Sequence, residues 1–157
     1  HERDIPALAK TFGCKDAAIL RGESHDTFWA YVADLPQVAE LSLDKLALKL
    51  ACLPSKLSQA VALAQKLADQ FNLVLTLNAR ALNGVAYVRV RGSNANLQAF
   101  HAALLVQYPH TIVLGSPDGL RGKLAVWGSD VTGLDIMRRI KHEFDPHNLF
   151  NPGRFVC

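Results

Sequence analysis

The feature that most constrains this chain is the way its apolar residues change period between residues 45 and 115. Leu46, Leu48 and Leu50 alternate with Ala47, Lys49 and Ala51, a period of two that places the leucines on one face of a half-buried β-strand. After Pro54-Ser55 the rhythm switches. Leu57, Ala60, Val61, Ala64, Leu67, Ala68 and Phe71 recur at helical spacing, which gives a helix one apolar stripe. Leu73, Leu75 and Leu77 return to period two, Asn83-Gly84 turns the chain, and Val85 to Arg91 runs back as a hairpin partner. Leu97, Phe100, Leu104 and Tyr108 then mark a second helix closed by Pro109, and Thr111 to Leu114 a fourth strand.

The resulting order, β-α-β-β-α-β, predicts an α+β fold of the ferredoxin-like kind: an antiparallel four-stranded sheet with two helices on one face and the other face open. The flanks read as helical additions. Asp4-Ile5-Pro6 opens a short helix ending near Gly13. Ala17 to Leu20 reads as a short strand, and Ser24 as the cap of a helix bearing Phe28, Trp29, Val32 and Leu35 until Pro36 stops it. After the loop Ser116 to Gly122, a last helix carries Leu134, Met137, Ile140 and Phe144. The expected organisation is a helical extension over 1–44, the ferredoxin-like core over 45–115, and a C-terminal helix and tail over 116–157.

Composition narrows the class. With 50% hydrophobic and 20% charged residues, the chain can bury a sizeable core. No apolar run approaches the roughly 18 residues that span a bilayer. The polar start lacks a signal-peptide core, and a first residue other than Met leads us to expect a chain that begins inside a larger reading frame. Cys14, Cys52 and Cys157 form no CxxC pair, so free thiols in a reducing cytoplasm are expected rather than a zinc site or a disulfide. A net charge of +3 permits an anionic ligand but not the dense basic stripe of a nucleic-acid binder. Neither a GxGxxG nor a GxxxxGK[ST] phosphate loop is present.

The C-terminus is the most specific stretch. Pro146 disfavours helical geometry at Asp145 and ends the last helix. Asn151-Pro152-Gly153 reads as a tight turn in which Gly153 takes positive φ, presenting Arg154. His142 and His147, with Asp145 between them, lack a fixed ligand spacing, so no metal site is expected. The run Met137-Arg138-Arg139-Ile140-Lys141, then Phe144-Asp145-Pro146, then Phe150-Asn151-Pro152-Gly153-Arg154-Phe155 closely resembles the C-terminal signature of FAD-linked oxidases of the vanillyl-alcohol oxidase type. Val126-Trp127-Gly128 and Asp26-Thr27-Phe28-Trp29 make it most similar to the FAD-binding subunit of glycolate oxidase.

That resemblance implies a cap domain of a larger FAD-dependent 2-hydroxy-acid oxidoreductase, whose N-terminal FAD-binding domain is absent from this chain. It implies oxidation of glycolate or a similar 2-hydroxy acid to the 2-oxo acid, by hydride transfer to the flavin N5. The tail would fold back to help close the flavin site, with Asn151, Gly153 and Arg154 on the cofactor side. Partners implied are the protein's own FAD domain, a second flavin subunit and an iron-sulfur subunit. The location implied is cytoplasmic, including a peripheral position at the inner face of the membrane through those partners. Catalytic flavin subunits of the group carry an HGDGNxH-like motif, and no histidine here sits in one. An accessory subunit is therefore expected, inactive as an isolated fragment.

Within that reading, Tyr87, Arg89 and Arg91 share one face of the third strand, and Lys49 is placed to join them. Guanidinium pairs bidentately with carboxylate, so this basic face suits a carboxylate substrate. The alternatives are an RNA-binding or a small-molecule regulatory ferredoxin-like module. Gly84, Ala86, Tyr87 and Val88 overlay part of an RNA-recognition signature. Asn83, Val85 and Val90 do not, and the first strand offers no aromatic, so nucleic acid is not expected as a partner.

Overall fold

The computed structural model describes residues 4, 7, 10–11, 18–34, 45–120 and 122–152, and the chain divides into two compact units, His1–Asp34 and Leu35–Cys157.

In the first unit Ala7, Lys10 and Thr11 are helical, with the Thr11 hydroxyl donating to the Ala7 carbonyl at 2.9 Å. Helix α1 spans Glu23–Asp34. The Asp26 N–H donates to the Gly22 carbonyl at 3.1 Å, so Gly22 precedes the first turn and Ser24 lies inside it rather than capping it. Glu23 and Asp26 in that turn complement the helix dipole. Residues 18–20 are irregular, not a strand. A strand needs a neighbour for its backbone polar groups, and the sheet draws only on the second unit. The expectations at Pro6, Gly13, Ala17, Leu35 and Pro36 fall outside the described residues.

The second unit contains β1 (Lys45–Ala51), a 3-10 turn at Pro54–Lys56, α2 (Leu57–Gln70), β2 (Val74–Arg80) and β3 (Val85–Arg91). It continues through α3 (Asn94–Gln107), β4 (Ile112–Gly115), a second 3-10 turn at Asp118–Leu120 and α4 (Leu134–Phe144). The sheet order is β2-β3-β1-β4 with every pairing antiparallel, which is the ferredoxin-like arrangement. Each helix crossover skips one strand, so β1 and β3 occupy the centre.

The core lies between one face of the sheet and the two crossover helices. Leu46, Leu48 and Leu50 of β1 and Ala86, Val88 and Val90 of β3 meet Ala60, Ala64 and Ala68 of α2 and Leu97, Phe100 and Leu104 of α3. The alanine stripe lets α2 lie close to the strands, while Phe100 fills the deeper space under α3. The Ser93 hydroxyl accepts the Asn96 N–H at 3.3 Å and caps α3. Thr111 is fully buried, and both its N–H and its hydroxyl donate to the Tyr108 carbonyl. It therefore closes the turn after α3, and β4 begins one residue later than its β-branched composition suggests.

His101, on the buried side of α3, is 3% exposed and its Nε2 has no hydrogen-bond partner. Burial holds its pKa below the ordinary 6.5. The unfolded chain then binds a proton that the folded one refuses, so stability is fully present above pH 6.5 and falls as pH drops below it. Thermal midpoints should decline steadily from pH 8 to pH 5. His101→Leu should flatten that decline and add about 1 kcal/mol at neutral pH by removing an unsatisfied buried group.

Candidate functional site

Two places carry the residues singled out by the sequence, the tail after α4 and the open face of the sheet. Helix α4 is strongly two-sided, yet none of its residues is buried. Ile136, Met137, Ile140 and Phe144 form an exposed apolar row, with Phe144 83% exposed. Such a row on a helix is ordinarily covered. Helix α4 ends where Asp145 swings to φ −142°, its N–H still donating to the Lys141 carbonyl at 2.8 Å.

The Asp145 side chain then organises the loop beyond the helix. Its Oδ1 accepts the Leu149 N–H at 2.8 Å, and its Oδ2 accepts the Phe150 N–H at 2.9 Å and pairs with the Lys141 ammonium. Lys141 also donates to the Phe150 carbonyl at 2.8 Å. The Asp145 carboxyl is held down to about 2, chiefly by the hydrogen bond from Lys141; burial opposes this, and the Phe150 and Leu149 N–H groups and the Lys141 charge reinforce it. The chain reverses through Asn148 at φ +51° and Asn151 at φ +48°, the left-handed region that Asn tolerates better than most residues. Leu149 and Phe150 consequently point outward, 73% and 69% exposed.

Asn151 and Pro152 close the described part of this tail. Gly153 and Arg154, and the positive φ expected at Gly153, lie outside the described residues. With its oxygens occupied, Asp145 is not a free ligand for a cation beside His142 and His147. Among the described residues no group of His, Cys, Asp and Glu is gathered to hold a metal ion.

On the sheet, Tyr87, Arg89 and Arg91 alternate with buried Ala86, Val88 and Val90. Lys49 lies opposite Tyr87 and Lys45 opposite Arg91 in the β1–β3 register, so both lysines share the face of Tyr87, Arg89 and Arg91. Asn78 and Thr76 of β2 lie opposite Tyr87 and Arg89. No strand of the sheet contains an acidic residue, so every charge the strands place on this face is positive. The Arg80 guanidinium sits over the Tyr87 ring, 5.3 Å from its centroid. That cation–π contact covers the surface on which a base would have to stack, and it weighs against the RNA reading.

Along the β4 edge the same face runs into a shallow pocket of about 250 Å³ lined by His110, Ile112, Trp127, Asp130, Val131 and Thr132. The His110 Nδ1 donates to the Asp130 backbone carbonyl at 3.1 Å, which leaves Nε2 as the acceptor of the neutral ring. Ile112 lies opposite Lys49, so pocket and basic face are continuous. No spacing in the sequence marks His110 and Trp127 as neighbours; the fold alone joins them. The structure thus gathers Tyr87, Arg89, Arg91 and Lys49 on one surface and places Asn151 on a separate element.

A model of the family of FAD linked oxidases, C-terminal domain, matches residues 127–155. The match begins at Trp127 beside β4, takes in α4 and the Asp145 loop, and ends in the tail. It supports a C-terminal domain of an FAD-linked oxidase, and with it FAD as the cofactor of the oxidase. No curated protein and no solved structure matches the chain. No described helix is long and apolar enough to cross a membrane.

Proposed function

We propose that this chain is the cap domain of an FAD-dependent 2-hydroxy-acid oxidoreductase, similar to the FAD-binding subunit of glycolate oxidase. One observation carries the reading: the family match falls on the same segment, α4 and its tail, whose apolar side chains stand exposed. A second protein surface would cover that row, and the proposed occupant is the FAD-binding domain of the same oxidase. The chain's residues fit an auxiliary role toward FAD, with Asn151 held on an ordered loop and Gly153 and Arg154 following it. FAD supplies the hydride acceptor when bound; the cap supplies shape, exclusion of water and charge. Lys49, Arg89 and Arg91 would hold the substrate carboxylate, and Tyr87 would contribute a hydroxyl at its edge. A second flavin subunit and an iron-sulfur subunit would receive the electrons, and the proposed location is the cytoplasm, including a peripheral position at the inner face of the membrane through those partners.

The complete reading frame should purify yellow, and bleaching of its visible absorption by anaerobic glycolate would make this subunit itself, rather than a partner, the site of hydroxy-acid oxidation. A yellow protein that does not bleach would keep the flavoprotein and remove glycolate as substrate of this subunit. A protein that stays colourless after reconstitution with FAD would remove the reading altogether.

A further inference from the structure

We infer that the Lys141–Asp145 pair is a positioning element that sets the backbone of residues 148–151 and so fixes where Asn151 is presented. This rests on the flavin-side reading of Asn151 for its functional meaning, but not for its geometry. The side chains of this one pair hold three successive peptide groups. Asp145 takes the N–H of the 148–149 peptide and that of the 149–150 peptide, and Lys141 takes the carbonyl of the 150–151 peptide. A fourth restraint comes from the backbone, where the Asn148 N–H donates to the Asp145 carbonyl at 3.0 Å. The peptide plane entering Asn151 is therefore determined before any partner arrives.

The arrangement costs desolvation, since Asp145 is only 7% exposed, and surface helices normally end without such a carboxylate. Pro146 has no N–H to offer and forces the exit at Asp145; the carboxylate then accepts the Leu149 and Phe150 N–H groups of the loop beyond the helix. A loop held at one polar group of each of three successive peptides presents Asn151 with little residual freedom, which reduces the ordering that docking would otherwise require.

The test uses the whole 157-residue chain, with Asp145→Asn and Lys141→Gln. In Asp145→Asn, amide hydrogen exchange at Leu149 and Phe150 should quicken by on the order of tenfold, the loss of a charge-assisted bond, while β3 and α3 amides keep their rates. Lys141→Gln should have a smaller effect centred on Asn151, and it serves as the readout if the asparagine variant weakens the whole fold. In the parent chain the Leu149 and Phe150 amide proton shifts should stay flat from pH 6 through the ordinary carboxylate range and move only as pH falls toward about 2. Unchanged exchange in both variants, or an inflection at an ordinary carboxylate pH, overturns the inference. If exchange quickens but FAD affinity of the complete protein carrying Asp145→Asn is unaltered, the clasp stands and the flavin-side reading of Asn151 falls.

Discussion

Phe100→Ala will lower the stability of the Leu35–Cys157 unit by about 3–5 kcal/mol. Phe100 is 0% exposed and is, among the described residues, the largest fully buried side chain, sitting with Leu97 and Leu104 against the sheet. Its loss leaves a cavity that the surroundings cannot fill. Three of the buried core positions of α2 are Ala60, Ala64 and Ala68, which have no rotamers to swing inward, and β1 and β3 are fixed by pairing on both sides. Domains of this size hold about 5–15 kcal/mol in all, so the variant should sit near its unfolding midpoint in mild urea. Leu82→Ala is the comparison, since Leu82 is 97% exposed and should shift stability by under about 0.5 kcal/mol. A loss below about 1 kcal/mol for Phe100→Ala would mean that α3 does not pack on the sheet through this ring.

Gly128→Ala should be nearly as damaging, at about 3 kcal/mol or more. Gly128 lies at φ +88°, and a Cβ there would stand 2.1 Å from the Pro109 carbonyl oxygen. That oxygen accepts the Ser129 N–H at 2.9 Å, so the added carbon falls into the contact that joins the 127–132 segment to the turn after α3. The His110–Asp130 bond and the pocket beside Trp127 depend on the same approach. Gly122→Ala separates the two causes: Gly122 has φ +72°, and a methyl group added to it would find nothing within 4 Å, so it meets conformational strain alone. Thermal midpoints of the pair, with Trp fluorescence reporting the pocket, measure the difference. Equal losses would show that the close approach to Pro109 contributes nothing.

Legibility in the sequence varies by element. The strands and crossover helices of the core follow from leucine and alanine spacing, because a face that must be buried imposes its period on the sequence. Short flanking segments depart from expectation for the converse reason. Residues 18–20 have strand-like side chains but pair with no strand, and Ser24 has a capping side chain but sits inside the first turn, too late to cap it. Thr111 looks like a strand residue and instead uses its hydroxyl to close a turn.

The open face shows the same division. Alternation alone puts Tyr87, Arg89 and Arg91 on one side of β3, but only the register brings Lys49 and Lys45 beside them and sets Arg80 on Tyr87. His110 and Trp127 lie seventeen positions apart in a chain of 157 residues, and a loop held by Gly128 brings them to one pocket.

At the tail, the sequence by itself determined that a helix ends at Asp145-Pro146 and that this helix and the residues after it resemble an FAD-linked oxidase signature, since both are properties of local residue order. What only the tertiary structure decided is the job of Asp145. Along the chain it is a helix-stop residue flanked by two histidines; folded, its carboxylate gathers Lys141, Leu149 and Phe150 because the reversal at Asn148 returns those amides to it. The i,i+4 spacing of Lys141 and Asp145 is written in the sequence, but the Leu149 and Phe150 amides reach the carboxylate only through the left-handed turn at Asn148, which residue order alone does not specify.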